Sequence, residues 1–349
     1  MHFLRTASLA ALLLLARAAP LSERQWPDLS DSDDAETVVA APLNATSAGG
    51  RLYFLDQGGF KAGRILSTKA DGTDLRVILE GLRAAPDGIA VDRAAGYIYF
   101  TNMGTSAGNT AAGSVQRVGL DGKGLVTVVQ PGKTHTAKQL TLVEEGGKKK
   151  LYWGDREGMK VMRANIDGSG LEVVVDTAKY ACSGEPCKHV VGVAVDTKNG
   201  FVYWTQKGGE AGGQGSIHRA PTTLKAGETA GARSDVQTLL KGLPEPIDAH
   251  WVAESGTLYW TDRGRTTGGN SVNKLVLGAA AAGGAVQGAK AQVLYGGLGT
   301  GIGIAVDVPS NQVWATDLRG QVWLSDLEGK NKKKIASGLG ILVGITYVE

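Results

Sequence analysis

The sequence predicts an all-β protein, a six-bladed β-propeller built from four-stranded blades. Three observations lead to this prediction. One short strand motif recurs six times, each copy lies within a group of four strand-like stretches, and no helical pattern separates the groups. Recurrence of small β units at a roughly fixed period is typical of repeat proteins. Four-stranded units that repeat around an axis form a propeller.

The recurring motif is clearest at residues 258–262, which read Leu-Tyr-Trp-Thr-Asp. Aromatic and β-branched residues alternate there between Gly256 and Gly264, and this pattern predicts a strand. Related stretches begin at Leu52, Ile98, Leu151, Val202 and Val313. The second residues of the six copies are 53, 99, 152, 203, 259 and 314, so successive copies are 46, 53, 51, 56 and 55 residues apart. This spacing gives the length of one blade.

The remaining strands of a blade follow from the surroundings of the second copy. Strand-like stretches cover residues 86–92, 96–101, 114–122 and 125–129. The third of them ends in Asp-Gly, a strong hairpin signal. The first has the pattern Gly-Ile-Ala-Val-Asp, which recurs with little change at 192–196 and 303–307. Each blade is therefore predicted to begin with a strand of this type.

The first blade lacks such a strand directly before Leu52. The chain instead ends with residues 344–349, Gly-Ile-Thr-Tyr-Val-Glu, which match the same pattern. We expect this C-terminal strand to complete blade one, because closure of the ring removes open sheet edges. The alternative assigns the strand to residues 38–41, where the spacing fits less well.

Bulk properties and the N-terminal residues predict a secreted, soluble protein. A net charge of +3 and a hydrophobic content of 42% over 349 residues give no reason to expect a nucleic-acid partner. Residues 1–18 predict a signal peptide with a short apolar run and an Ala-Arg-Ala cleavage site; the alternative is a membrane anchor. Residues 19–47 predict an acidic flexible leader with a glycosylation site at Asn44, and 48–349 a single propeller domain. No membrane span is expected elsewhere.

The chain has two cysteines, Cys182 and Cys187. In an oxidising compartment we expect them to form a disulfide that closes one loop. The alternative is a redox-active pair, which would favour Cys-x-x-Cys spacing rather than the four intervening residues found here.

The repeats resemble the YWTD repeats, also called low-density lipoprotein receptor class B repeats, over residues 48–349. The resemblance implies a six-bladed propeller in which the Asp and Thr of the motif are structural. Asp56, Asp155, Asp262 and Asp317 are therefore expected to belong to the framework. Receptor propellers of this family stand beside cysteine-rich modules, which two cysteines cannot form. We expect the fold, but not the receptor role, to carry over.

Blade five carries unusual polar residues in its predicted inner strand. Asp248 stands where sister repeats have Gly, and His250 stands where they have Ala. His189 directly precedes the inner strand of blade four. Buried polar groups cost free energy unless they are paired, so we expect these residues to have a functional role at a mouth of the channel. We predict His250, Asp248 and His189 as catalytic residues.

Blade three adds a second polar stretch, since residues 138–141 align with 86–89 of blade two. We predict that the substrate is bound by the following residues: Asp87, Lys138, Gln139, Thr141 and Trp251. The structural alternative is that Asp248 and His250 bond to each other or to the backbone and plug the channel, while His189 is an exposed loop residue.

The sequence lacks the motifs of several common kinds of functional site. No metal-ligand cluster, nucleophile elbow or nucleotide-binding loop occurs, so we expect no metal and no cofactor. What remains is a channel mouth suited to a small, partly apolar organic molecule. The alternatives are a non-catalytic extracellular propeller that binds a ligand or protein, and a strictosidine-synthase-like or lactonase-like enzyme.

The chain also resembles fungal secreted propeller enzymes of natural-product biosynthesis, of the tropolone-sesquiterpene hetero-Diels–Alderase type. This resemblance implies a cofactor-free cyclase that joins a quinone methide to an alkene, largely by holding the two together. In such an enzyme His250 or His189 would donate the proton for loss of water, and Asp248 would orient the donor. Gln139 or Lys138 would polarise the ketone.

Overall fold

The computed structural model describes residues 49–349, except for 60, 105–110, 183, 210–211, 279–281 and 284–290. The predicted signal peptide, the acidic leader and Asn44 lie outside the described residues. The part described consists almost entirely of short antiparallel strands, with a four-residue 3-10 turn at Glu185–Lys188.

The strands form six four-stranded sheets, which confirms the predicted propeller. From the inner strand outward, blade one contains β24 (Leu342–Val348), β1 (Arg51–Asp56), β2 (Gly63–Lys69) and β3 (Arg76–Leu82). Blade two contains β4 (Pro86–Asp92), β5 (Tyr97–Asn102), β6 (Gly113–Gly119) and β7 (Val126–Thr134), and blade three β8 (Ala137–Glu145), β9 (Lys148–Asp155), β10 (Lys160–Asn165) and β11 (Glu172–Asp176). Blade four contains β12 (Val190–Asp196), β13 (Phe201–Gln206), β14 (Gly215–Pro221) and β15 (Gln237–Leu243). Blade five contains β16 (Pro246–Val252), β17 (Thr257–Asp262), β18 (Ser271–Val276) and β19 (Gln292–Gly296), and blade six β20 (Gly301–Asp307), β21 (Gln312–Asp317), β22 (Gln321–Ser325) and β23 (Lys333–Ala336).

The C-terminal strand β24 completes blade one, as predicted. It pairs antiparallel with β1, with Arg51 opposite Val348 and Phe54 opposite Ile345. The strand begins at Leu342, two residues earlier than expected, because Leu342 and Val343 are also buried in the core. The alternative strand at 38–41 is wrong, since β24 occupies the inner position of this sheet.

The threonine of the motif ties neighbouring blades together. In blade four, Thr205 Oγ1 accepts a hydrogen bond from the Gly192 N–H of its own inner strand at 2.8 Å and donates to the Ile247 carbonyl of the next blade at 2.6 Å. Equivalent bridges occur in blades two, five and six through Thr101, Thr261 and Thr316. These buried bridges fix the inner strands relative to one another.

The aspartate of the motif holds the loop that enters the inner strand of its own blade. Asp155 accepts hydrogen bonds from the backbone N–H groups of His135 and Thr136 at 2.8 and 2.7 Å. Asp262 binds the N–H groups of Glu245 and Gly264 in the same way. Asp56 and Asp317 make similar bonds. The expected framework role is confirmed, and it positions one rim of the channel.

Candidate functional site at the upper mouth

We call one rim of the channel the upper mouth. It is formed by the loops that enter the inner strands and by the loops that follow the motif copies. The opposite rim, where the inner strands end, is the lower mouth. Between them lies a plug, formed by the second residue of each inner strand. Its members are Asp87, Lys138, Val191, Ile247, Ile302 and Val343, all at most 8% exposed. The four apolar members share one core cluster although they come from four blades, so they meet at the channel axis.

The polar members of the plug form an ion pair. Lys138 Nζ donates to one oxygen of the Asp87 carboxylate, and Gln139 Nε2 donates to the other at 2.9 Å. Lys138 Nζ also lies 3.1 Å from Met103 Sδ, which belongs to the upper mouth. Burial lowers the pKa of Lys138 to about 8, although the Asp87 carboxylate opposes the shift. Three predicted binding residues, Asp87, Lys138 and Gln139, are thus brought together.

Strand pairing corrects our alignment of blade three by one residue. Pro86 faces the last motif residue of its blade, and Ala137 does the same in blade three. Lys138 therefore corresponds to Asp87 rather than to Pro86. The alignment was misplaced because β8, like β16, lacks the glycine that marks the pattern in the other inner strands. Thr141 corresponds to Ala90 and lies three residues beyond the plug residue Lys138 along the strand. The structure does not bring Thr141 to the upper mouth.

Asp248 joins blade five to blade six. Its carboxylate accepts hydrogen bonds from the N–H groups of Ala249 at 2.9 Å and Ile304 at 3.0 Å. Burial raises the pKa of Asp248 to about 7, against the effect of these two bonds. Among the described residues no hydrogen bond links Asp248 to His250. This geometry favours the structural alternative for Asp248, in which it bonds to the backbone.

His250 and Trp251 lie on the other side of the plug, towards the lower mouth. Both line a cavity of about 260 Å³ between blades five and six, and Trp251 stacks on Tyr203 with ring centroids 4.6 Å apart. Burial lowers the pKa of His250 to about 4. The structure therefore separates His250 and Trp251 from the mouth where His189 lies, and the three predicted catalytic residues do not form one cluster.

A repeated backbone bond positions two rings of side chains around the upper mouth. In every blade the residue after the motif donates its N–H to the carbonyl of the residue that directly precedes the inner strand. The donor and acceptor residues are Gln57 and Ile341, Met103 and Ala85, Arg156 and Thr136, Lys207 and His189, Arg263 and Glu245, and Leu318 and Thr300, at 2.8–3.1 Å. The repeats thus fix twelve side-chain positions.

These positions divide the upper mouth into two halves. The charged half, in blades three to five, carries Thr136, Arg156, His189, Lys207, Glu245 and Arg263. The uncharged half, in blades six, one and two, carries Thr300, Leu318, Ile341, Gln57, Ala85 and Met103. Leu318 also packs against the apolar part of the plug. The mouth therefore offers a polar wall opposite an apolar one.

The cations of the polar wall are paired with carboxylates. Glu245 binds both Lys207 at 2.9 Å and Arg263 at 2.8 Å, and Arg156 binds Glu157 at 2.6 Å. With the ion pair of the plug, each of these cations has a carboxylate partner. Although burial opposes it, Arg263 and Lys207 lower the pKa of Glu245, so this carboxylate stays ionised. The polar wall therefore carries cationic donors whose charges are balanced by neighbouring carboxylates.

His189 has unused hydrogen-bonding capacity in this wall. Both ring nitrogens are buried without a hydrogen-bond partner among the described residues, and the Glu185 carboxylate is 3.7 Å from Nε2. Burial lowers the pKa of His189, against the effect of Glu157, so the ring is neutral near pH 7. The predicted disulfide between Cys182 and Cys187 is confirmed, and Gln206 Nε2 donates to the Cys187 carbonyl just before His189. His189 thus holds a buried donor and a buried acceptor that no described residue uses.

Sequence reasoning missed the charged residues Arg156, Lys207 and Arg263. The signal was present, because each directly follows a copy of the motif. Placing the six copies in register shows Gln, Met, Arg, Lys, Arg and Leu at this one position. A position that varies so widely inside a regular repeat marks a side chain that the fold does not need.

Ser216 and His218 lie as close together as a catalytic serine and histidine, but they belong to the framework. Ser216 Oγ lies 2.8 Å from His218 Nε2, and Thr238 Oγ1 lies 3.1 Å from the other ring nitrogen. Strand pairing places Ser114 and Gln116, and Ser271 and Asn273, at the same positions of blades two and five. Because sister blades use the same pair of positions for hydrogen bonds without histidine, we assign Ser216 and His218 a structural role.

The described residues lack two further features. No group of three His, Cys, Asp or Glu side chains in the part described is arranged to hold a metal ion. No helix among these residues has the length and apolar character required to cross a bilayer.

Fold and repeat geometry define the class of this molecule as a YWTD-type β-propeller. The chain is 43% identical over 317 residues to "Low-density lipoprotein receptor-related protein 1" of Pyricularia oryzae, which covers 87% of this chain and all of that protein. It therefore belongs to the family of YWTD propellers related to the low-density lipoprotein receptor-related proteins. No protein-family profile matches the chain.

Two further relatives extend this result. The chain is 34% identical over 304 residues to "3-hydroxyacyl-CoA dehydrogenase-like protein LAM1" of Cochliobolus heterostrophus, a match that covers 84% of this chain but 63% of that protein. Among solved structures, a chain of the nidogen–laminin complex superposes with a TM-score of 0.62 at 19% identity, covering 86% of this chain and 99% of that one. The structural match shows that this chain and the nidogen–laminin chain share a fold.

Proposed function

We propose that the protein is a secreted propeller that binds a small, partly apolar organic molecule at the upper mouth. The two-sided mouth carries this proposal. Leu318 and the apolar plug residues offer a surface for a hydrocarbon body, while the polar wall across the opening carries the cationic donors Arg156, Lys207 and Arg263. The disulfide between Cys182 and Cys187 supports an oxidising compartment.

The polar wall favours a ligand whose polar end presents oxygen acceptors. Arg263, Lys207 and Arg156 are donors only, and a guanidinium suits paired oxygens. An enolate, a carboxylate or a hydroxylated ketone such as a tropolone has this character. We therefore expect a sesquiterpenoid carboxylate to serve as a probe, with its alcohol and its hydrocarbon as matched comparisons.

Binding can be tested by calorimetric titration of the full-length protein with the sesquiterpenoid carboxylate. We expect saturable binding of one molecule per chain, and we expect Leu318→Trp to abolish it by filling the mouth. Val276→Trp is the matched control, since Val276 is 56% exposed on a strand far from the axis. Binding that survives Leu318→Trp, or that Val276→Trp removes equally, would contradict a site at the upper mouth.

A specific observation favours catalysis as a further step. Lys138 Nζ is buried at the floor of the mouth, and its lowered pKa makes it a better proton donor than an exposed lysine. His189 can accept or donate a proton at its unbonded nitrogens. A cofactor-free cyclase of the hetero-Diels–Alder type needs these two roles. A proton passes to the departing hydroxyl of a hydroxymethyl tropolone, water leaves, and the ring hydroxyl gives up its proton to form the quinone methide.

The quinone methide then adds to an alkene, forming one carbon–carbon and one carbon–oxygen bond with no atom lost. Proximity in the mouth and donors to the developing oxyanion would lower this barrier. The test is to incubate the protein with a hydroxymethyl tropolone and humulene and measure the adducts. We expect His189→Ala to reduce product formation at least about tenfold. A product distribution equal to that without protein would sink the cyclase proposal and leave the binding proposal standing.

Protein binding is the rival class, since the solved nidogen chain is described in a complex with laminin. A protein-binding rim would present clustered apolar side chains. The large exposed apolar residues of the described part are instead spread over several blades, at Leu125, Val126, Leu224, Val276, Val293 and Val308. This distribution favours the small-molecule proposal.

A further inference from the structure

A cavity of about 260 Å³ lies at the lower mouth, on the other side of the plug from the site proposed above. It is lined by His250, Trp251, Val252, Glu254, Val306, Val308 and Pro309. A dry cavity of roughly 150 Å³ accepts a benzene ring, so this space suits one ring with a short side chain. Because the plug residues close the channel axis, the two sites are separate.

The composition of this cavity differs from the same place in sister blades. At the position of His250, other inner strands carry Ala90, Ala194 and Ala305. Blade five instead supplies an imidazole, with an indole at the next residue. The indole is held in place by its stacking on Tyr203. Tyr203 belongs to blade four, so the indole packs on the face of β16 that is turned away from blade six. The side of the cavity formed by Val306 and Pro309 from blade six is apolar.

The only charged side chain among the residues lining the cavity at physiological pH is the carboxylate of Glu254. Glu254 is exposed at its edge and has no ion pair within the part of the chain that the structure describes. Among the lining residues no lysine or arginine occurs, and His250 is neutral at physiological pH because burial lowers its pKa to about 4. A cation would therefore meet a carboxylate and no cationic side chain of the lining.

We propose that this cavity is a second binding site, for a small organic ammonium ion with an apolar ring. The ring would lie against Val306, Val308 and Pro309, and the ammonium group would pair with Glu254. The neutral His250 ring would offer a hydrogen-bond acceptor beside it. This proposal does not depend on the function assigned to the upper mouth.

The test is calorimetric titration of the full-length protein with phenethylammonium, with neutral 2-phenylethanol and anionic phenylacetate as comparisons. We expect the ammonium ion to bind most tightly and Glu254→Gln to weaken it about threefold to tenfold, without changing the affinity for 2-phenylethanol. Glu80→Gln is the matched control, because Glu80 is an exposed carboxylate on blade one, away from blades five and six. We expect it to have no effect.

Two further measurements locate the site. Val308→Trp should block the cavity from its rim, since Val308 is 38% exposed and its loss leaves the core intact. The sesquiterpenoid carboxylate used for the upper mouth should not compete with phenethylammonium. Absence of saturable binding, equal affinity for all three probes, or insensitivity to both Glu254→Gln and Val308→Trp would overturn the proposal.

Discussion

The two halves of the upper mouth share one backbone but not one chemistry. Arg263 in blade five and Leu318 in blade six follow the same motif residue and donate their N–H groups to equivalent carbonyls, at 3.0 and 3.1 Å. One side chain then enters an ion pair with Glu245, and the other packs on the apolar plug. The comparison teaches that the repeat fixes where a side chain stands and leaves its identity free.

We expect the largest change in the free energy of unfolding at the plug, where two blades carry charged residues and four carry apolar ones. Lys138→Met should destabilise the protein by about 3–5 kcal/mol, because the Asp87 carboxylate would be left buried without its cation. The double variant Asp87→Val/Lys138→Ile takes the residue types that sister blades hold at Val191 and Ile302. It should recover most of that loss, since apolar replacement of a whole buried ion pair is often neutral.

Urea unfolding of both variants and of wild type measures this difference. If Lys138→Met loses less than about 1 kcal/mol, or if the double variant is no better than the single one, the buried pair does not behave as the geometry indicates.

Asp248 gives a contrast that depends on pH. Its folded-state pKa of about 7 lies above the ordinary value near 3.9, so the folded protein holds this proton more tightly than the unfolded chain. Its contribution to stability is fully present below about pH 4 and is lost as the pH rises through 7. Between pH 4.5 and 7.5 wild type should lose about 3 kcal/mol relative to Asp248→Asn.

The comparison with Asp248→Asn removes the contributions of other titrating groups, including Asp262, whose pKa burial raises to about 6. Parallel pH profiles for the two proteins would show that Asp248 is ionised throughout and that its two backbone bonds outweigh burial.

The smallest effects on stability are expected at the upper mouth itself. Arg263→Leu copies the residue of blade six and leaves Glu245 paired with Lys207, so it should cost less than about 1 kcal/mol. Thr261→Val, in the motif of the same blade, removes the bond from the Asp248 N–H and the bond to the Ile302 carbonyl. It should cost about 1–3 kcal/mol. Thermal unfolding of the two variants tests whether Thr261→Val loses more stability than Arg263→Leu. Equal losses of stability would contradict the difference that we draw between residues of the mouth and residues of the framework.

The fold could be predicted from the sequence because framework residues repeat. The spacing of the motif, the Gly-x-Ala-Val-Asp strands and the unpaired strand at 344–349 each follow from local chemistry that recurs. The absence of the pattern glycine from the inner strand β8 was enough to shift the alignment of Lys138 by one residue. Recurrence, rather than any single residue, carried the prediction.

The site could be predicted only in part, for a physical reason. Departures from the repeat singled out Lys138, Gln139 and Asp248. They did not show which departures face the same space, because a seven-residue inner strand crosses from the upper mouth to the lower one. Asp248 and His250 are two residues apart, yet one bonds to blade six above the lower cavity and the other lines that cavity.

The most direct test of the account is the ligand preference of the polar wall. The triple variant Lys207→Leu/Glu245→Thr/Arg263→Leu gives blades four and five the residue types found in blade six and leaves no buried charge unpaired. Wild type should bind the sesquiterpenoid carboxylate about tenfold more tightly than its alcohol, and the triple variant should bind both equally. A wild type without this preference, or a triple variant that keeps it, would contradict the proposal that the charged half of the mouth recognises the polar end of the ligand.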